Sequence, residues 1–148
     1  MSADQYKEYD FEILREPWNK YELEDGSYIK ARYILTKYKK TEPDAQGRTK
    51  YQAEFQTLTV VYNVPESLKG PPVAEQFSQE QLQQSIEREV SYKTMEEEWN
   101  EYIADDGTKI RVKDTVTRVS RTKLRDAQGN PIYWVEHSQL LSSAPLKK

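Results

Sequence analysis

The sequence predicts a mainly β protein built as a tandem duplication, and three observations carry that expectation. Nearly the same segment occurs twice, as PWNKYELEDGSYIKARYILTKYKKT from Pro17 to Thr41 and as EWNEYIADDGTKIRVKDTVTRVSRT from Glu98 to Thr122. Each copy carries an Asp-Gly step, Asp25-Gly26 and Asp106-Gly107, between alternating apolar and polar residues, which is the pattern of a tight hairpin turn between half-buried strands. The segments that follow are rich in β-branched and aromatic residues, which fit a pleated surface better than a helix.

Aligning Trp18 on Trp99 gives an offset of 99 − 18 = 81 that also pairs Asn19 with Asn100, Tyr21 with Tyr102, Ile29 with Ile110 and Thr36 with Thr117. One inserted residue then raises the offset to 126 − 44 = 82, so that DAQG at Asp44–Gly47 meets DAQG at Asp126–Gly129 and Tyr51 meets Tyr133. A long match with one insertion inside a turn points to duplication of a single unit.

Taken in order, each unit begins with a strand, at Tyr9–Leu14 and again at Val90–Met95. Trp-Asn then leads into the hairpin, and the ring is expected to plug a barrel end while the amide caps backbone groups. The run after the Asp-Gly turn, Ser27–Lys40, sets Ile29, Ala31 and Leu35 on one face, as its counterpart sets Ile110, Val112 and Val116. The next apolar residues, Tyr38 and Val119, come at odd spacing, so each strand must change face through a β-bulge or bend. After the DAQG turn a second long strand follows, Lys50–Val64 and Ile132–Ser142, with Tyr51, Ala53 and Phe55 matched by Tyr133, Val135 and His137.

About four strands per unit make a small antiparallel meander or barrel-like unit, SH3-like or OB-like in size. The units are expected at residues 6–64 and 89–144, packed as a pseudo-twofold pair. Residues 65–88 form the linker, because Pro65, Gly70, Pro71 and Pro72 stop any strand. Within it Ser78 and Gln81 have capping-box spacing and Phe77 can staple to Leu82, which predicts one short helix over about 79–88. The ends, 1–5 and 145–148, are expected to fray.

Among 148 residues there are 11 tyrosines, no cysteine and one histidine, and 32% of residues are charged. Tyrosine can bury its ring and keep its hydroxyl at a wet edge, so it can build a thin core in so polar a chain. The missing cysteines exclude disulfides, thiolate metal sites and a cysteine nucleophile. No Gly-rich phosphate loop, Ser-His-Asp order or metal-ligand spacing occurs, so no cofactor, no metal and no catalytic residue is expected. The beginning of the chain lacks the basic and apolar blocks of a signal peptide and no apolar run is long enough for a membrane span, which predicts a cytoplasmic protein with no membrane partner.

Charge is distributed unevenly in a chain of net charge -3. One basic ribbon holds Lys30, Arg32, Lys37 and Lys39, interleaved with Tyr28 and Tyr33; the other holds Arg111, Lys113, Arg118 and Arg121. Cations that track phosphates beside rings that stack bases suit a single-stranded nucleic acid. Lysines that protect exposed strands from edge-to-edge pairing are the simpler account. Glu54 and Glu136 hold carboxylates in mid-strand and His137 is the sole imidazole, so at a seam between units they could form an acid/base or small-ligand site. Cross-strand ion pairs and a packed histidine again suffice. The sequence therefore favours a non-enzymatic interaction or scaffold module, such as a subunit of a larger assembly, whose partner is another protein or a second copy. Nucleic-acid binding through the ribbons is the alternative, and a seam site the second alternative.

Overall fold

Strict alternation of buried and exposed residues along two long segments makes each the spine of a sheet. The computed structural model describes residues 5–144, so the ends expected to fray at 1–4 and 145–148 lie outside the described residues. In chain order the strands are β1 (Lys7–Tyr9), β2 (Phe11–Arg15), β3 (Asn19–Leu23), β4 (Tyr28–Lys40), β5 (Tyr51–Tyr62), β6 (Ile86–Glu89), β7 (Tyr92–Glu96), β8 (Asn100–Ala104), β9 (Lys109–Arg125) and β10 (Pro131–Ala144). A single helix among the described residues longer than one turn, α1 (Gln79–Gln84), precedes β6. It starts on the capping box, with Ser78 and Gln81 bonding each other's backbone amides. The helix is shorter than the expected 79–88, because Ile86, Arg88 and Glu89 pair instead with β9 and the ladder outcompetes another helical turn.

The described residues form two open antiparallel sheets of five strands each. In the first, β4 is flanked by β5 on one side and by β1 and β3 on the other, and β7 lies outside β3. In the second, β9 is flanked by β10 on one side and by β6 and β8 on the other, and β2 lies outside β8. Neither sheet closes, which corrects the barrel expectation. The reason lies in two crossings: β2 pairs with β8 and β7 with β3, so each half of the chain gives its second strand to the sheet of the other half. Without that strand neither half can curl upon itself. Nor do the tryptophans plug a barrel end; each lies under a cation, Lys30 Nζ 4.7 Å from the centre of the Trp18 ring and the Arg111 guanidinium 4.5 Å from that of Trp99.

The sheets pack face to face around two apolar clusters. Tyr21, Leu23 and Ile29 of the first sheet meet Val116, Val119 and Tyr133 of the second. Leu35 and Tyr38 of the first meet Tyr102, Ala104, Ile110 and Val112 of the second, with Tyr51, Ala53 and Phe55 against them. The two halves of β4 thus serve different clusters, and so do those of β9. This requires the change of face, and register slips between Leu35 and Lys37, and opposite the β9 segment from Val116 to Arg118, supply it. Thr36 and Thr117 both turn outward at these points.

The Asp-Gly turns do more than reverse the chain. Gly26 (φ 94°) and Gly107 (φ 89°) take the left-handed conformation that such turns require. Each aspartate accepts the amide two residues on, Ser27 N at 2.9 Å from Asp25 and Thr108 N at 3.0 Å from Asp106. The second oxygen of each then grips the opposite sheet. Asp25 binds Arg121 at 3.2 Å and accepts the Tyr133 hydroxyl at 2.6 Å, while Asp106 pairs with Lys40. Burial alone would raise the carboxyl pKa of Asp25, yet Tyr133, Ser27 and Arg121 together hold it below its ordinary value.

A reciprocal pair of carboxylates fills the gaps along the spines. Strand β3 covers β4 only over Tyr28–Ala31 and β1 only over Tyr38–Lys40, which leaves the amide of Leu35 without a strand partner on that edge. Glu16, its side chain 2% exposed, accepts that amide at 3.1 Å and the Tyr102 hydroxyl at 2.7 Å. Glu97 does the same for Val116 N at 3.3 Å and the Tyr21 hydroxyl at 2.7 Å. Asn100 and Asn19 reach across between the sheets to the neighbouring carbonyls, of Tyr33 at 2.8 Å and of Asp114 at 3.5 Å. Burial and the adjacent carboxylates push both tyrosine hydroxyls well above their ordinary pKa. Replacing Tyr102 by Phe removes a donor from a buried carboxylate and should cost about 1–3 kcal/mol. Urea unfolding of the variant against the parent protein measures this, and Tyr21→Phe should match it within error.

Candidate functional site

Backbone groups that pair with nothing are concentrated on two long strands. β5 and β10 each pair on one side only, with β4 and β9, and run for 12 and 14 residues. The other strands that pair on one side only are short, β2 and β7 with 5 residues each, β6 with 4 and β1 with 3. Each long edge carries one carboxylate, Glu54 or Glu136, and no lysine or arginine. From Phe55 to Tyr62 β5 has no charged residue at all, and within it Gln56–Val60 are exposed on both faces. Leu58 is 41% and Val60 39% exposed; on β10 Leu140 is 59% and Leu141 38% exposed. Such edges are templates for another strand unless charge, proline or a covering segment blunts them.

The lysines expected to protect these edges stand one strand further in. Lys30 and Arg32 belong to β4, opposite Val60 and Leu58 in register, and Lys113 belongs to β9, opposite Leu140. Alternation with buried Ile29, Ala31, Ile110 and Val112 turns Lys30, Arg32, Arg111 and Lys113 outward, on the outer faces of two sheets packed back to back through their cores. The two ribbons therefore point away from each other and form no continuous surface.

Most of these cations are also engaged. Arg32 pairs with Glu16 at 3.5 Å, Lys39 with Glu54 at 3.3 Å, and Arg111 with Glu101 at 3.7 Å. Arg118 lies 3.5 Å from Glu89 and 3.8 Å from Glu136, and Arg121 is clamped between Asp25 and Glu87. Of these ribbon cations Lys30, Lys37 and Lys113 have no ion-pair partner among the described residues, and Lys30 lies over the Trp18 ring. Tyr28 donates to Glu22 at 2.6 Å and stacks on Tyr62 with ring centres 5.5 Å apart, whereas Tyr33 is buried in the interior.

The seam residues fall apart into unlike roles. Glu54 and Glu136 lie on different sheets, each exposed and paired with a cation, so they form no couple. His137 is different. Its Nδ1 stands 2.9 Å from Oδ1 of Asp114, a carboxylate only 1% exposed that also accepts two bonds from Gln139 at 3.2 Å. An ionised carboxylate only accepts, so Nδ1 carries the proton and Nε2 is left for another group. The hydrogen bond and charge of Asp114 raise the imidazole pKa above 6.5 against the opposing effect of burial.

Sequence reasoning missed Glu16, Glu97 and Asp114. A signal existed for the first two, since Glu16 and Glu97 stand at the same offset immediately before Pro17-Trp18 and Glu98-Trp99. Asp114 had none, because its counterpart at that offset is Tyr33. Among the described residues no group of three potential ligands could hold a metal ion, and no helix is long and apolar enough to cross a membrane. No protein-family model matches the chain, and no curated protein or solved structure is detectably similar to it.

Because folding raises the His137 pKa, its contribution to stability is complete below the unfolded value near 6.5 and is lost as pH rises through the folded value. NMR titration of the single imidazole should give a midpoint above 6.5 that Asp114→Asn lowers. The stability difference between the parent protein and His137→Phe should shrink over the same interval as pH rises.

Proposed function

We propose that the chain is a non-enzymatic interaction module, a subunit of a larger assembly, that recruits a second copy of itself by strand addition at β5. The uncharged, doubly exposed stretch Phe55–Tyr62 carries this reading. Main-chain groups along it offer affinity without any pocket, and Leu58 and Val60 offer apolar surface on the outer face. β5 is preferred over β10 because α1 packs against β10. Two β5 edges meeting antiparallel about a twofold axis close upon themselves, which gives a dimer and not an open fibre.

The same reading explains the twofold character of the chain itself. Duplication of one antiparallel unit, with exchange of β2 and β7 about a pseudo-twofold axis, accounts for core positions that recur at one offset: Tyr21 and Tyr102, Ile29 and Ile110, Leu35 and Val116, Tyr38 and Val119. Fusion would make permanent what an exchanged dimer makes by association. The clamps Asp25–Arg121 and Asp106–Lys40 follow the same rule.

A single edge contact is small, so association should be weak and concentration-dependent. Sedimentation velocity from micromolar to near-millimolar protein should show a monomer giving way to a dimer. Leu58→Lys should hold the protein monomeric throughout, while Leu140→Lys, on the other edge, should leave the dimer intact. A parent protein that stays monomeric over the whole range overturns the proposal.

A further inference from the structure

A cleft of about 350 Å³ opens between the inner faces of the two sheets beneath α1. Thr57 and Thr59 of β5 form one wall, Tyr133, Trp134 and Val135 of β10 the other, and Gln79 and Leu82 of α1 lie across it. Tyr33 and His137 also line it, their ring centres 5.3 Å apart. Tyr33 is 2% exposed, and among the described residues its hydroxyl has no hydrogen-bond partner, while its backbone carbonyl is taken by Asn100. Burial pushes that hydroxyl well above its ordinary pKa, so it remains an O–H. The hydroxyl is not sealed from solvent, so it stands at the cleft as a donor open to water or to a guest.

His137 adds the second half of a site. Asp114 holds the imidazole from behind through Nδ1, which fixes the ring and leaves Nε2 as the free nitrogen. These groups stand where the two halves of the chain differ: the offset places Phe55 opposite His137 and Tyr33 opposite Asp114. One half thus holds two aromatic rings where the other holds a buried carboxylate and an imidazole.

We infer that this cleft binds a small, uncharged, planar molecule carrying a phenolic hydroxyl, whose oxygen meets both Tyr33 Oη and His137 Nε2. Above its raised pKa His137 is neutral and Nε2 accepts, so at such pH a hydroxyl, which both donates and accepts, completes one group that donates and one that accepts. The lining holds no lysine, arginine, aspartate or glutamate, so an anion finds only an imidazole already balanced by Asp114, and an amine finds no carboxylate. Trp134, Tyr133, Val135 and Leu82 supply the flat apolar walls that a ring needs. The volume lies at the lower end of the small-molecule range, which limits the guest to one or two rings. The cleft shares Thr57 and Thr59 with β5, but it uses side chains of the inner face whereas strand addition uses main-chain groups of the free edge, so neither inference requires the other.

The single histidine makes the test direct. The imidazole resonances of the full chain are followed by NMR during titration with p-cresol and 2-naphthol, with benzoate and benzylamine as charged counterparts. The phenols should shift the His137 signals saturably, and the charged compounds should not. Tyr33→Phe should retain the fold and weaken the phenols by roughly tenfold, the worth of one hydrogen bond. His137→Phe, which installs the residue of the corresponding position, should abolish the remaining binding, read from tryptophan fluorescence. Unmoved imidazole signals at millimolar phenol overturn the inference. So does binding of benzoate as tight as that of p-cresol, or a Tyr33→Phe protein that binds like its parent.

Discussion

A glutamate carboxylate facing a backbone amide that has no strand to pair with is the interaction on which this architecture turns. A long strand that serves two cores is flanked on one edge by two short strands, and the gap between them leaves a main-chain amide without a ladder partner. An amide orphaned there would cost as much as several surface contacts supply. Glu16 and Glu97 satisfy it and, with the same oxygen, accept the hydroxyl of a tyrosine on the other sheet. Bulge, sheet pairing and tyrosine core are therefore one arrangement. The tyrosines are not a substitute for aliphatic residues; their hydroxyls are needed where they lie.

The polar composition acquires a different meaning from this arrangement. Much of the charge is spent inside the molecule or across its own strands, as in Arg121 between Asp25 and Glu87 and Lys40 on Asp106. What remains at the outermost strands is nearly neutral. The surface is thus charged over the middle of each sheet and, apart from one glutamate each, uncharged along the long outer strands β5 and β10, the reverse of the usual protection of a β protein. That inversion is a property of placement and not of amount, which is why the net charge of the chain carries no hint of it.

The sequence made local features legible and long-range ones illegible. Alternation, the Asp-Gly turns, the capping box at Ser78 and the odd spacing from Leu35 to Tyr38 are each written within a dozen residues, and each corresponds to a feature of the fold. The crossing of β2 and β7 has no local signature, since a strand of five residues reads the same whichever sheet receives it. The helix was expected too long because Ile86 suits a helical stripe and a strand equally, and only the presence of β9 decides. Among the candidate sites, Lys and Arg positions were readable but their partners were not, and Asp114 was invisible because it departs from the very repeat that made other positions readable. His137 was singled out for being alone; its chemistry comes from a residue 23 positions away.

The exchanged strands also set the order in which the protein can be made. Phe11–Arg15 leaves the ribosome long before Asn100–Ala104, its only partner, exists, and the first sheet is missing β7 until Tyr92–Glu96 has emerged. A nascent chain carrying most of its first half therefore holds the uncharged Phe55–Tyr62 stretch of β5 and an unpaired β3 edge. Neither sheet is complete until β7 and β8 have emerged, and over that interval the open edges are exposed to pairing with neighbouring chains.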